Sequence, residues 1–255
     1  MATILPKQKL SVSYFRNSES NGLYEHCFVL CRGLLICLQI FHYKGPGVLF
    51  FGPALKMELN LQTAELALRE ASESNPGAWA DHSRFVAEAC KNIASHCKDL
   101  SSEQAYIFGL LHDIGRYAGV SSERHLIDGY RYCMERGWEK AAQICISHAF
   151  MIQDIATSIG EFDVSDEDYL FMKEFVANAV YDDYDRLVQL CDALAMPSGF
   201  CLLEKRFVDV TMRYGVHPAT IDRWKKILEI KERFEDQIGC SIYALLPGIV
   251  ENSFR

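Results

Sequence analysis

The sequence predicts an all-α protein, and three observations carry that reading. From Leu59 onward, apolar residues recur at the three- and four-residue intervals of a helix face. Stop signals punctuate the pattern at Asn75-Pro76-Gly77, Gly137, Pro197-Ser198-Gly199 and Gly239. After Met57 no stretch alternates apolar and polar residues as a half-buried strand does.

The 255 residues are 49% hydrophobic and 24% charged, enough to bury a core without disulfides. The net charge of -8 argues against a broad electrostatic grip on nucleic acid or an anionic membrane. No stripe of basic and aromatic residues contradicts this. Ten cysteines are scattered without a C-x-x-C pair. They read as small core residues in a reducing compartment, which places the chain in the cytoplasm.

Residues 1–56 stand apart. Glu19 and Glu25 are their only carboxylates, and they hold two apolar patches, Phe28–Phe41 and Val48–Leu55. The first contains Arg32 and is too short to span a bilayer comfortably. Its pattern suits a strand or a short helix. We read 1–56 as an uncertain N-terminal segment, either accessory or preceding a natural start at Met57. Residues 57–255 form the helical domain.

Its elements follow in order. Residues 59–73 are rich in Leu, Ala and Glu, strong helix formers. Over 78–97, His82, Phe85, Val86, Ala89 and Ile93 share one face, which buries His82 near the helix start. Ser101 with Gln104 suggests a capping box for a helix carrying Ile107, Leu110, Leu111 and Ile114, with Gly115 as its stop. After a loop at 118–122, a fourth helix holds His125 and Gly129 and ends at Gly137. A fifth, 138–149, places Ala141, Ile144, Cys145 and His148 on one face. Ser165 with Asp168 opens a helix over 166–181. The acidic run Tyr181–Asp185 reads as a solvated turn. The next helix, 184–196, contains Asp192 alone among apolar neighbours. Helices over 201–214 and 218–238 complete the chain.

His82, His112, Asp113, His148 and Asp192 are thus polar side chains in apolar helical surroundings. Taken singly, each has a structural explanation: a core histidine bonded to a carbonyl, or an aspartate paired with an arginine. Together they form a donor set that divalent metals accept, and helices in a bundle can aim such side chains at one point. His96 and His217, near helix ends, receive no role. The chain has no G-x-S-x-G elbow, Walker-A loop or H-E-x-x-H helix.

The order of these residues resembles the H…HD…D signature of the HD-domain phosphohydrolase superfamily. DHSRFVAEAC at 81–90 looks like the helix carrying its first histidine, GLLHDIGR at 109–116 like its central motif, and DRLVQLCDALA at 185–195 like the helix of its last aspartate. The resemblance covers about 78–197 and implies an HD-domain helical bundle. It implies that His82, His112, Asp113 and Asp192 bind one divalent metal. HLIDG at 125–129 and ISHAF at 146–150 resemble the extra histidine motifs of binuclear branches, the HD-GYP phosphodiesterases and HD-type diadenosine tetraphosphate hydrolases. His125 and His148 then bind a second metal, with Asp113 bridging. Unlike HD-GYP proteins, this chain has Ala149 after His148 and no GYP element.

The resemblance implies one or two ions among Mn, Fe, Co, Ni, Zn and Mg, and hydrolysis of a phosphoester or phosphoanhydride of a small molecule such as a nucleotide. Asp113 is the expected catalytic residue, orienting a metal-bound water. Arg116 is either a phosphate-binding residue or a surface arginine at a helix C-terminus. Arg84, Arg124 and Arg186 are weaker phosphate-binding candidates. Two alternatives stay open: a non-enzymatic HD-like scaffold binding a nucleotide or protein, and a di-iron oxygenase on the same fold.

Overall fold

Several helix starts in this domain are set by short polar side chains that take up free backbone donors. The computed structural model describes residues 57–254 and, before them, the backbone of three strands. Helix α1 (Leu61–Ser74) is opened by Asn60, whose side chain accepts from the Thr63 amide while the Thr63 hydroxyl accepts from the Asn60 amide. Its inner face is Ala64, Ala67, Leu68 and Ala71, mostly small side chains that permit close approach. Helix α2 (Trp79–Ala94) buries Val86, Ala87, Ala89, Cys90 and Ile93 together with His82.

Helix α3 (Ser102–Leu111) is capped by Ser101, whose hydroxyl accepts from the Gln104 amide. It crosses α2 at Gly109. A Cβ there would lie 2.8 Å from the Ala87 Cα, so only glycine permits the crossing. The helix ends at Leu111 and tightens into a 3₁₀ turn, Ile114–Ala118. Gly115 is therefore not the stop that the sequence suggests. It lies inside that turn, where a Cβ would collide with the His125 carbonyl and the Gly129 amide. Its role is to seat the turn against α4 (Arg124–Glu135).

Helix α5 (Glu139–Ser147) follows, and His148 forms its C-cap. Helix α6 (Asp166–Asn178) starts at Ser165, whose hydroxyl accepts from the Asp168 amide. Helix α7 (Asp183–Asp192) ends four residues earlier than the apolar pattern suggests. Met196 precedes Pro197, which disfavours helical backbone at Met196. The chain instead makes a two-residue antiparallel pair in which Ala195 faces Phe200 and Met196 faces Gly199. Helices α8 (Leu203–Tyr214) and α9 (Thr220–Ile238) follow. A short α10 (Ile249–Ser253), too brief for periodicity to reveal, ties back through Asn252 to the Phe200 carbonyl and through the Ser253 hydroxyl to the Leu202 amide.

The domain is all-α, a helical bundle. Its main core gathers α1, α2, α3, α5, α7 and α9, and includes Leu68, Ile93, Leu110, Leu111, Ile144 and Phe234. A smaller cluster of Leu126, Ile127, Ile146, Phe150, Met172 and Val176 joins α4, α5 and α6. Among the described residues no helix is long and apolar enough to cross a membrane.

The acidic run at 181–185 is not a solvated turn. Asp182 caps α7, and Asp185 is fully buried among Lys140, Gln143 and Ser147.

Residues 1–56 form a separate compact unit. Their strands run Val12–Asn17, Tyr24–Cys31 and Leu34–Phe41 in one antiparallel sheet, with Val12 facing Val29 and Val29 facing Ile36. The apolar stretch Val48–Leu55 lies outside the described residues.

Candidate metal centre

His112 and Asp113 lie where α3 tightens into its 3₁₀ turn, and both are buried. His112 Nδ1 is 2.7 Å from the Gly109 carbonyl oxygen. A carbonyl only accepts, so Nδ1 carries the proton and Nε2 is left as a bare lone pair. Nε2 makes no hydrogen bond among the described residues. Burial is the main reason that the imidazole pKa falls to about 4, so the ring is neutral near pH 7.

Two further histidines repeat this arrangement. His148 Nδ1 lies 3.1 Å from the Ile144 carbonyl, and His125 Nδ1 donates to the Ser122 carbonyl. Both present Nε2 to Asp113, whose Oδ1 is 3.1 Å from His125 and 3.6 Å from His148. Burial also pushes the His148 pKa down. A backbone carbonyl holding one ring nitrogen while the other points at a centre is the usual support of a metal-bound histidine.

Asp113 is therefore the hub. Burial alone raises a carboxyl pKa, but Arg116, His112 and His125 outweigh it and hold Asp113 well below the usual range. Arg116 Nε donates to Asp113 Oδ2 at 2.7 Å, and its Nη2 lies 3.3 Å from His125 Nε2. Arg116 is thus neither a surface arginine nor an open fork: it is held against the carboxylate it neutralises.

On the other side, His82 Nε2 bonds Asp192 Oδ1 at 2.8 Å, and Asp192 Oδ1 is 3.9 Å from His112 Nε2. The bond from His82, then Arg206 and His112, overcome burial and hold Asp192 ionised. The rings of His82, His112 and His148 meet edge to face, with centroids 5.4 and 4.9 Å apart along that chain.

Two sets of donors are close enough to surround one ion each: His82, His112 and Asp113, and Asp113, His125 and His148. Asp192 belongs to neither set; its Oδ1 faces His82 instead. The structure thus brings all six sequence candidates to one place, with Asp113 shared. The donor chemistry fits a divalent ion, because imidazole Nε2 and carboxylate oxygens suit several such metals and the orphaned His112 Nε2 lone pair needs a hydrogen-bond donor or a Lewis acid.

The cluster opens into a cavity of about 550 Å³. Arg206 of α8 and Arg223 of α9 line it, and sequence reasoning singled out neither. Both lie on mixed faces of helices far along the chain, with no motif to mark them. Arg223 Nη1 donates to the carbonyls of Ala149 and Thr157, each at 3.0 Å, and so pins the segment after His148. Arg84 instead pairs with Asp81, Arg124 with Asp128, and Arg186 with the Met151 carbonyl.

No curated protein and no solved structure matches this chain. One family model does: residues 61–143 are similar to the HDOD domain, an HD-related family, and the match takes in His82, His112, Asp113 and His125 but stops short of His148 and Asp192.

Proposed function

We propose that this protein is a metal-dependent phosphohydrolase acting on a phosphoester or phosphoanhydride of a small molecule, with a nucleotide as the leading candidate. The observation that carries the reading is the triple arrangement at His112, His125 and His148. Each ring is tied by Nδ1 to a backbone carbonyl and offers Nε2 around the single carboxylate Asp113. Folding buries these groups at a cost that a core histidine bonded on both sides does not incur.

A divalent ion bound here supplies Lewis acidity and a water of lowered pKa. His82, His112 and Asp113 are the residues that hold one ion, and His125 and His148 extend the set to a second. Asp113, kept ionised by Arg116, accepts a proton-bearing edge of the attacking water and orients it. Arg116 keeps its Nη1 donors, used on neither Asp113 nor His125, for a phosphoryl oxygen. The neutral state of His112 and His148 leaves their Nε2 lone pairs available at neutral pH.

The test is metal analysis of the purified full chain, with hydrolysis of a nucleotide panel under Mn, Co, Ni or Fe. We expect bound metal and turnover, with His112→Ala and Asp113→Ala each lowering activity by more than about 100-fold. A protein that takes up no metal, or variants that keep full activity, would refute the reading. Iron-dependent oxygen consumption without hydrolysis would select the oxygenase instead.

A second reading is a binding module without turnover. It is favoured by the HDOD similarity, since proteins of that type are often signalling or non-catalytic. Metal uptake with no hydrolysis of any phosphorylated compound would select it.

A further inference from the structure

Arg206 is a cation of this cavity that the metal reading leaves without a task. It stands in the first turns of α8, with its side chain only 16% exposed. Its nearest carboxylate atoms are Asp192 Oδ1 and Asp209 Oδ2, each 3.7 Å away and beyond hydrogen-bond reach. Asp209 is already engaged by Arg213 at 2.9 Å, and Asp192 by His82 at 2.8 Å. A guanidinium carries five donors in a planar fork, and among the described residues none of Arg206's is bonded. The fork is not sealed from solvent: it stays open to the cavity, where a phosphate or carboxylate group fits it.

Its position matters as much as its isolation. Contacts of 3.9 Å or less run from Arg206 to Asp192, to His112, to Asp113 and on to Arg116. The two guanidiniums are thus the two ends of one run of contacts through the His/Asp cluster, and both line the cavity. Arg223 lines the same cavity with only neutral carbonyls bonded to it. The cavity lining sets Arg116, Arg206, Arg213 and Arg223 against Asp113, Glu123, Asp192 and Asp209, an even balance within a chain of net charge -8.

We propose that Arg206, beside Asp192, binds one anionic group of the ligand while Arg116, beside Asp113, faces another, so that the cavity selects compounds of the di- and polyphosphate class over monophosphates. This rests on the phosphohydrolase reading only for the identity of the group held at the Arg116 side.

The experiment is calorimetric titration of the purified full chain with orthophosphate, pyrophosphate and tripolyphosphate, alongside Arg206→Met and Arg206→Lys. We expect pyrophosphate or tripolyphosphate to bind at least about tenfold more tightly than orthophosphate. Arg206→Met should remove that advantage, a loss of about tenfold to hundredfold. Arg206→Lys, which keeps the charge and loses the fork, should restore part of it. Thermal melting of each variant establishes that it is folded. Equal affinity for the three probes in the wild type, no measurable binding of the longer two, or an advantage that survives in Arg206→Met would each overturn the proposal. The two readings separate cleanly. Arg206-dependent polyphosphate binding without turnover leaves this inference standing while the hydrolase reading falls. Turnover with no such preference does the reverse.

Discussion

Two aspartates lie buried in this domain, Asp113 and Asp185, and their surroundings differ in one respect. Asp185 is fully satisfied. It accepts from the Ser147 hydroxyl at 2.6 Å, the Gln143 amide at 2.9 Å, the Asp182 backbone at 3.0 Å and the Lys140 ammonium. Asp113 shares its neighbourhood with an imidazole nitrogen that has no partner, and its own Oδ1 makes no hydrogen bond of good geometry. A closed network of buried polar groups rigidifies a fold; an open one costs stability and is kept for another reason. The first ties α5 to α7, and the second faces the cavity.

The comparison predicts opposite phenotypes. The largest effect belongs to Asp185→Ala, which leaves Lys140 to Asp182 alone and the buried Ser147 hydroxyl without its acceptor. It should cost about 3–5 kcal/mol in denaturant unfolding, while any folded fraction keeps its metal content per mole. Loss of metal without loss of stability would invert the assignment of the two networks.

Next comes Gly115→Ala. The new methyl meets the His125 carbonyl and the Gly129 amide, both main chain, so the 3₁₀ turn and α4 must separate. A destabilisation of about 1–3 kcal/mol is expected, with a fall in metal affinity because His125 moves with its backbone.

His112→Leu should behave in the contrary way to Asp185→Ala. Metal binding is lost, yet the metal-free protein should lie within about 1 kcal/mol of wild type. The lost bond to Gly109 is offset by removal of the desolvated Nε2. Titration sharpens the point. The folded imidazole has a pKa of about 4, below the roughly 6.5 of an unfolded one. Between these values the unfolded chain binds more protons, so stability falls as pH drops from about 6.5 toward 4. Melting of chelated protein across that window should show this slope, and His112→Leu should reduce it to the part that His148, whose pKa burial also lowers, contributes. An unchanged slope would mean that another group titrates.

The smallest effect is expected from Ser101→Ala, a cap remote from both aspartates, at about 1 kcal/mol and with unaltered metal content.

Much of the candidate site was legible because it sits on helix faces. His82 shares a face with Val86, Ala89 and Ile93, and a 3.6-residue period places it inward without any tertiary knowledge. The same holds for His148 beyond Ile144 and Cys145. Asp185 was misread because local composition shows three aspartates in a row of five residues, whereas its partners lie about forty positions away on α5. Arg206 was missed for a related reason: only the tertiary fold brings α8 to Asp192. Gly115 was read by its habit at helix ends, when the close approach of α4 is what requires it.

The main-chain support of His112, His125 and His148 has an evolutionary consequence. Their partners are the carbonyls of Gly109, Ser122 and Ile144, which every amino acid supplies. Drift at Ser122 or Ile144 leaves the support in place provided the turn survives, so a substitution scan there should be nearly silent for metal binding. Substitutions in the outer cavity, including on the helices that carry Arg206 and Arg223, leave that main-chain support of the three rings untouched.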